Sequence, residues 1–548
     1  MQKRNQIAII IAIIFIMTLI YISAFTTMNC DKEFHVGRLT ELANEIKEIG
    51  ILNYPYYINF EAFGNMGYAT ETFYSDFFLI IPALMINLGF DINLVYAITI
   101  FVSFCFILIS SFLAFNCFIK DKENAIYYSI FYTFSSFIIF ETLERNALGT
   151  NFAYIFVPWV ILSFIHILSD KRNKHDWIIL GVSMACLLLS HIQTSIIVTI
   201  GLLIYAILNV RYVINNPKVI IMLLGSIVIA VLLDAFFIFP LIEQVIFQKL
   251  YLIEKPFTYM NNAYINLLNI ILPNYIWNNI IPKDLIIQNN QITNIIQRTW
   301  SIPATFIPTF LMIAIIAWKK IWKNKDIKNL FIISIFAIMI SFTPILGFFK
   351  ILSFIQFPWR IITLAMIFLP IAFAETNKID NKIKYRIAII TLVNGAFYLC
   401  IIIIFFGHSH TYTKTIGRGE YLPTEIPSYV LGYEYITDIE VYNYKNGYMI
   451  KNIDTNNGET ELPIVYYKGY KVYEIDENNK KHELQQVVKS KNGLINVKNV
   501  KQNNLNVIYE GTLIQKITKT ISLISFLILF NAIIVKRIII NRFFEKNS

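Results

Sequence analysis

Two acid–base side chains stand four residues apart in the stretch CDKEFHVGRL, Cys30 to Leu39: Asp31 and His35, with Glu33 and Arg38 beside them. On a helix that spacing puts a carboxylate and an imidazole on one face. A carboxylate can take a proton from a hydroxyl, and an imidazole can orient it or hydrogen-bond the same hydroxyl. The cluster directly succeeds an apolar run from Ile7 to about Phe25, so it lies at a lipid–water boundary, where a lipid-linked substrate would present its head group. A solvated polar cap on an apolar helix would read the same way.

Further chemistry-bearing residues recur at the ends of later apolar runs. ETLERNALGTN (141–151) groups Glu141, Glu144 and Arg145, and LLLSHIQTS holds His191. In SFIQFPWRIITLA (353–365), Gln356 and Arg360 are four apart, with Pro358 and Trp359 between them. Pro fixes the helix start and aims the Arg. Such an Arg either snorkels to lipid phosphates or holds one specific phosphate by paired hydrogen bonds. GRGEYLPTEIP places Glu420 and Tyr421 at the head of a polar segment. Each of these also has a bland reading, as an ordinary polar loop or an interfacial hydrogen-bonding residue.

The elements that must position these residues are membrane helices. The 548-residue chain is 56% hydrophobic and 15% charged, well below the charge content of soluble domains. Apolar runs at 7–27, 92–117, 125–141, 152–168, 177–191, 194–210, 218–240, 301–317, 330–347, 361–375, 387–406 and 517–535 predict about twelve spans. Residues 73–90 are apolar but short and contain Pro82, which predicts an interfacial or re-entrant helix within a first outer loop, 28–91.

Charge sets the orientation. Lys120 and Lys122, Lys171 to Lys174, Arg211 and Lys218, Lys319 to Lys328, Lys378 to Arg386, and the tail residues Lys536, Arg537 and Arg542 all fall on the side of Lys3 and Arg4. That side is expected to be cytoplasmic, with both termini inside. Lys3-Arg4 before an apolar run, with no small-residue cleavage site, predicts an uncleaved first span. The net charge of +10 is thus a topology signal and implies no nucleic acid. Five cysteines without a CxxC pair indicate neither a zinc site nor a disulfide framework. Asp234 stands apart as an acid inside a span.

Residues 407–516 alternate in strand-like runs, PIVYYKGYKVYEI, GLINVKNV and LNVIYEGT, with turn signals at 456–458 and 491–493. They predict a small antiparallel β domain outside the cell. The expected organisation is a transmembrane domain over 1–406, the β domain over 407–516, and a last span with a basic cytoplasmic tail over 517–548.

One ordered set of motifs covers nearly the whole chain: Asp31 and His35 after the first span; Gly67, Tyr68, Phe73 and Tyr74; Arg145 to Gly149; Ser190-His191; Gln356 to Arg360; and Gly419 to Pro423. It resembles the bacterial multipass proteins labelled "6-pyruvoyl-tetrahydropterin synthase-related", relatives of YfhO-like membrane proteins, although no zinc-binding His triad is visible. That family is similar to GT-C glycosyltransferases, which use polyprenyl-phosphate sugars on the outer face of the membrane.

The resemblance implies an all-α polytopic GT-C-like bundle with a C-terminal extracytoplasmic β domain, in the bacterial plasma membrane. It implies Asp31 as catalytic base, with His35 assisting. Arg360 and Arg145 would hold the phosphate, and Arg38, Tyr74, Glu144, His191, Gln356, Glu420 and Tyr421 would contact substrate. The implied partners are a polyprenyl-phosphate sugar donor, a cell-envelope polymer, lipid or protein acceptor, and membrane lipids. Many such enzymes carry two adjacent acids, whereas here Cys30 precedes Asp31. No cofactor is firmly implied, and divalent-metal binding stays open. The alternatives are a lipid or polysaccharide transporter or flippase, and a non-enzymatic envelope-assembly protein.

Overall fold

The computed structural model describes residues 3–26, 30–254, 325–342, 355, 357–375, 381–406, 419–426, 439–444, 446–453, 459–475, 480–484 and 486–545. The chain is mostly helical, with a β region near its C-terminus. Helix α1 (Lys3–Thr26) leaves Ile10, Ile11, Ile14 and Phe15 each more than half exposed. Water would penalise that surface heavily, so its solvent is lipid. Five described helices are long and apolar enough to cross a membrane, or seven if each of two bent pairs is one span. The chain is an integral membrane protein.

The expected count of twelve is not reached among the described residues. The run 301–317 lies outside them, and several others form apolar helices of only 10–17 residues. A hydropathy window counts apolar residues but does not see the turns that divide them. The run 218–240, for example, is broken at Asp234. His191, in an extended conformation, falls where the expected runs 177–191 and 194–210 meet and joins helices α6 (Asp176–Ser190) and α7 (Ile192–Leu208), each under 18 residues. The 73–90 stretch likewise forms a short apolar helix, Phe77–Asn87.

Contacts cluster into two compact units. The first comprises Met1–Thr40, Phe78–Leu224 and Lys255–Ile416. Within it α2 (Cys30–Glu48) begins, α3 (Ile92–Ile119) packs on α4 (Lys122–Thr133), and α5 (Leu148–Ile167) packs on α3 and α6. Further along the chain α10 (Lys325–Ser341) packs on α11 (Ile362–Glu375), and α12 (Asn381–Phe406) packs on α1. Local chemistry fixes the starts of α3 and α4. The Asp91 carboxylate accepts from Asn93 N at 2.9 Å and Leu94 N at 3.1 Å, and Asp121 accepts from Asn124 N at 3.1 Å. After α4 the chain bends by 48° into Ser136–Glu144, which ends in a π-helical turn, Phe140–Glu144.

The second unit comprises Glu41–Phe77, Gly225–Glu254 and Gly417–Ser548. Its strands are β1 (Glu440–Asn443), β2 (Gly447–Lys451), β3 (Glu459–Val465), β4 (Tyr470–Ile475), β5 (Lys481–Glu483), β6 (Val487–Lys489), β7 (Leu494–Lys498) and β8 (Leu505–Tyr509). They form a five-stranded sheet ordered β1-β2-β8-β4-β5 and a three-stranded sheet ordered β3-β7-β6, both antiparallel. Part of the first loop joins the strands in this unit. Val465 N donates to Met66 O at 2.8 Å, and Tyr448 Oη donates to Phe60 O at 3.0 Å. Gly67 is required here: its φ is +85°, and a Cβ would lie 2.5 Å from Tyr448 Oη.

The last helix, α13 (Leu513–Glu545), starts with a reciprocal cap between Thr512 and Gln515. The apolar run 218–240 is divided between α8 (Pro217–Leu233) and α9 (Ala235–Phe247), bent by 82° at Asp234. Ser522 of α13 mends the break. Its hydroxyl donates to Leu232 O at 3.2 Å and accepts from Phe236 N at 3.0 Å. The Asp234 carboxylate is fully buried, and neither oxygen has a hydrogen-bond partner among the described residues.

Candidate functional site

The π-helical turn at Phe140–Glu144 inserts an extra residue where the helix ends and re-aims the next stretch of chain. That stretch opens with Arg145, and Asn146 then takes a left-handed φ of 54°, a conformation Asn tolerates better than most side chains. Asn146 Nδ2 ties back to Leu143 O at 2.9 Å, and Tyr96 Oη holds Asn146 O at 2.8 Å. The Arg145 backbone is therefore fixed on both sides.

The Arg145 guanidinium is buried and joins two carboxylates. Its Nη2 donates to Asp31, and its Nη1 donates to Glu141 at 2.8 and 3.1 Å. It lies 5.1 Å from the ring centre of Trp359, which is fully buried among Phe137, Phe140 and Phe357. Arg360 sits over the same aromatic pair, 4.9 Å from Phe357 and 5.8 Å from Trp359, and its Nη1 donates to Ile355 O at 3.3 Å. Two guanidiniums thus share one aromatic platform that excludes water, where charge interactions are strongest.

Asp31 opens α2 with its side chain 29% exposed, whereas His35, one turn on, is 3% exposed. Burial alone would raise the Asp31 carboxyl. Arg145, His35 and Arg360 outweigh it and hold the group below the ordinary carboxylate range. His35 contributes only when protonated, and burial together with Arg38 pushes its imidazole down to about 3. At neutral pH the two arginines therefore keep Asp31 ionised. His35 is then a neutral ring whose Nδ1 faces Arg38 Nη1 at 3.5 Å and accepts from it. Burial opposes the Arg145 charge, but Asp31 and Glu141 more than offset it and raise the group above its usual value.

His191 caps α7, its Nδ1 accepting from Thr194 N at 3.3 Å and lying 2.7 Å from Thr194 Oγ1. It is buried within electrostatic reach of Arg360, Arg145, His35 and Arg38. Glu144 accepts from Tyr398 Oη on α12. The first unit therefore gathers Asp31, His35, Arg38, Glu144, Arg145, His191 and Arg360.

The other candidates are not among the residues gathered in the first unit. Gln356 lies outside the described residues. Tyr74, Glu420 and Tyr421 belong to the second unit, where Tyr421 stacks on Phe73 at 5.1 Å and its N donates to Tyr68 Oη at 3.0 Å.

Sequence reasoning assigns no role to Glu141, Trp359 or Tyr398. Glu141 and Trp359 stand inside motifs already singled out, but only the fold shows that both meet Arg145. The signal for Glu141 is its i,i+4 spacing to Arg145; Tyr398, mid-helix among apolar residues, carries none. Among the described residues no group of three His, Cys, Asp or Glu side chains has the arrangement to hold a metal ion.

No family model matches the chain, and no curated protein matches it. Among solved structures it is similar to the single-particle cryo-EM structure of the arabinofuranosyltransferase AftD from Mycobacteria, with 11% identity and a TM-score of 0.43. The match covers 75% of this chain and 27% of that one, so the chain spans about a quarter of that protein's length.

Proposed function

We propose that this protein is a GT-C-type membrane glycosyltransferase that moves a sugar from a polyprenyl-phosphate donor to an extracytoplasmic cell-envelope acceptor. The observation that carries this reading is the ionic chain Asp31–Arg145–Glu141 beside Arg360, at the start of the helix after the first apolar helix. The motif resemblance of the sequence points the same way. The reading includes about twelve spans, both termini in the cytoplasm of a bacterial cell, and the β region outside.

Transfer needs a base for the acceptor hydroxyl and cations for the departing phosphate. With Arg145 bound to it, the Asp31 carboxylate is ionised but weakly basic. A donor phosphate arriving between Arg145 and Arg360 competes for Arg145. Asp31 is then released as a stronger base at the moment the acceptor is deprotonated, while the guanidiniums neutralise the leaving phosphate. The buried Trp359 Nε1, without a partner among the described residues, is a further donor for an oxygen of the substrate. His35, neutral and held by Arg38, positions the cluster or hydrogen-bonds a sugar hydroxyl.

Asp234 leans toward the alternative, a transporter or flippase. A buried carboxylate without a partner among the described residues, at a break in a span, is a residue type that transport pathways use. Glycan analysis of lipids and envelope polymers from a deletion strain separates the two. An enzyme's loss removes one sugar residue from a glycan, and the Asp31→Asn form does not restore it. A transporter's loss leaves the linkage chemistry intact and changes only how much polymer reaches the outside.

A further inference from the structure

A cavity of about 340 Å³ opens between the loop after α5 and the start of α8, lined by Arg172, Lys174, Trp177, Lys218, Ile221 and Met222. Its charged lining is all cationic, with Asn173 beside it. The Lys174 and Lys218 side chains are exposed and make no hydrogen bond or ion pair among the described residues. Arg172 is held in place, its Nη1 donating to Tyr212 Oη at 2.7 Å and to Ser169 O at 3.2 Å. Trp177 Nε1 donates to Lys174 O at 3.0 Å and fixes the rim.

Two acids stand close by, and neither pairs directly with Lys174, Lys218 or Arg172 among the described residues, although Tyr212 links Asp170 to Arg172. Asp176 is buried, with its carboxylate taken by His166 Nδ1 at 2.7 Å and Asn173 N at 2.6 Å, and Asp170 accepts from Tyr212 Oη at 2.9 Å. The larger part of the lining is apolar and continues along α8, where Ile220, Ile221 and Leu224 are 40%, 67% and 57% exposed. Such exposure on a membrane helix is lipid contact.

We propose that this opening binds the headgroup of an anionic phospholipid, with its acyl chains lying along Ile221 and Leu224. Three cations around one recess fit a phosphodiester, an indole at the rim suits the headgroup level, and the apolar wall accounts for the rest of a lipid molecule. Free phosphate would use the cations but leave Ile221 and Met222 uncovered. The site lies on the side that the charge asymmetry marks as cytoplasmic, and it is independent of the glycosyltransferase reading.

The test is native mass spectrometry of the full chain in micelles containing equal phosphatidylglycerol and phosphatidylcholine. The wild type is expected to retain phosphatidylglycerol preferentially. A lysine near an anionic surface contributes about fivefold, so Lys174→Gln/Lys218→Gln should lower the preference about 25-fold. Lys171→Gln/Arg211→Gln removes the same charge from outside the cavity and should leave the preference unchanged. Equal retention of the two lipids by the wild type overturns the proposal. So does an equal loss in the control pair, which would assign the effect to diffuse charge. Displacement of the lipid by millimolar sodium phosphate would assign the recess to free phosphate and also overturn it.

Discussion

Arg145 and Arg360 share an aromatic platform but hold different places on it. Arg145 bridges Asp31 and Glu141, whereas Arg360 sits over Phe357 and Trp359 and donates to the Ile355 carbonyl. In the proposed mechanism both guanidiniums meet the donor phosphate, and Arg360 brings a charge that already acts on Asp31. A hydrogen bond to a charged group is worth about 1.5–3 kcal/mol, so Arg360→Ala should raise the donor KM about 10- to 100-fold. Arg360→Lys should restore it only in part, because an ammonium cannot reproduce the planar fork of a guanidinium. Steady-state kinetics on membranes decides this, and an unchanged KM in both variants would make Arg360 a packing residue.

At the scale of the element, the second half of α2 carries Glu41 and Glu45, both buried, in the second unit. Burial, then Glu61, Glu48 and Asp76, push the Glu41 carboxyl up to about 8, and burial with Glu71, Glu41, Asp76 and Glu48 raises Glu45. The folded state thus keeps protons that the unfolded chain gives up above its ordinary carboxylate range. Stability from these groups is full below about 4.5 and is lost as pH rises through about 8. Thermal unfolding in detergent should show a lower Tm at pH 9 than at pH 6, and Glu41→Gln should flatten the difference. The break between α8 and α9 depends on hydrogen bonds with Ser522. Ser522→Ala leaves Phe236 N and Leu232 O unsatisfied, at a cost of about 1–3 kcal/mol, which the Tm of the purified protein reports.

These elements also show what the sequence could and could not disclose. The helices announce themselves by apolar runs, and strands β3, β4, β7 and β8 by alternation, because both periodicities are local. Asp31, Arg145, Arg360 and His191 are legible because polar side chains at the ends of apolar runs are few. Their convergence is not, since it depends on a π-helical turn and a left-handed Asn146 that no spacing rule signals. Tyr74, Glu420 and Tyr421 have the right residue types for a site. The stacking of Tyr421 on Phe73 and its bond to Tyr68 are long-range packing that no local pattern reveals.

At the scale of the whole molecule, orientation rests on the lysines and arginines of alternate loops. A reporter fused after about residue 450 is expected outside the cell and one near Lys323 inside. Finding both on one side would overturn the span count, and with it the placement of the proposed site residues. The functional reading has a more direct test: incorporation of labelled sugar into envelope glycans by membranes carrying Asp31→Asn. The substitution keeps an oxygen that accepts from Arg145, and Glu141 still neutralises that guanidinium, so the fold should survive with an unchanged Tm. Basicity is lost, and general-base catalysis contributes about a hundredfold to ten-thousandfold, so transfer should fall by that order. Glu33→Gln should have much the smaller effect. Full transfer by Asp31→Asn in a stably folded protein would contradict the assignment of Asp31 as the base and of the ionic cluster as the active site.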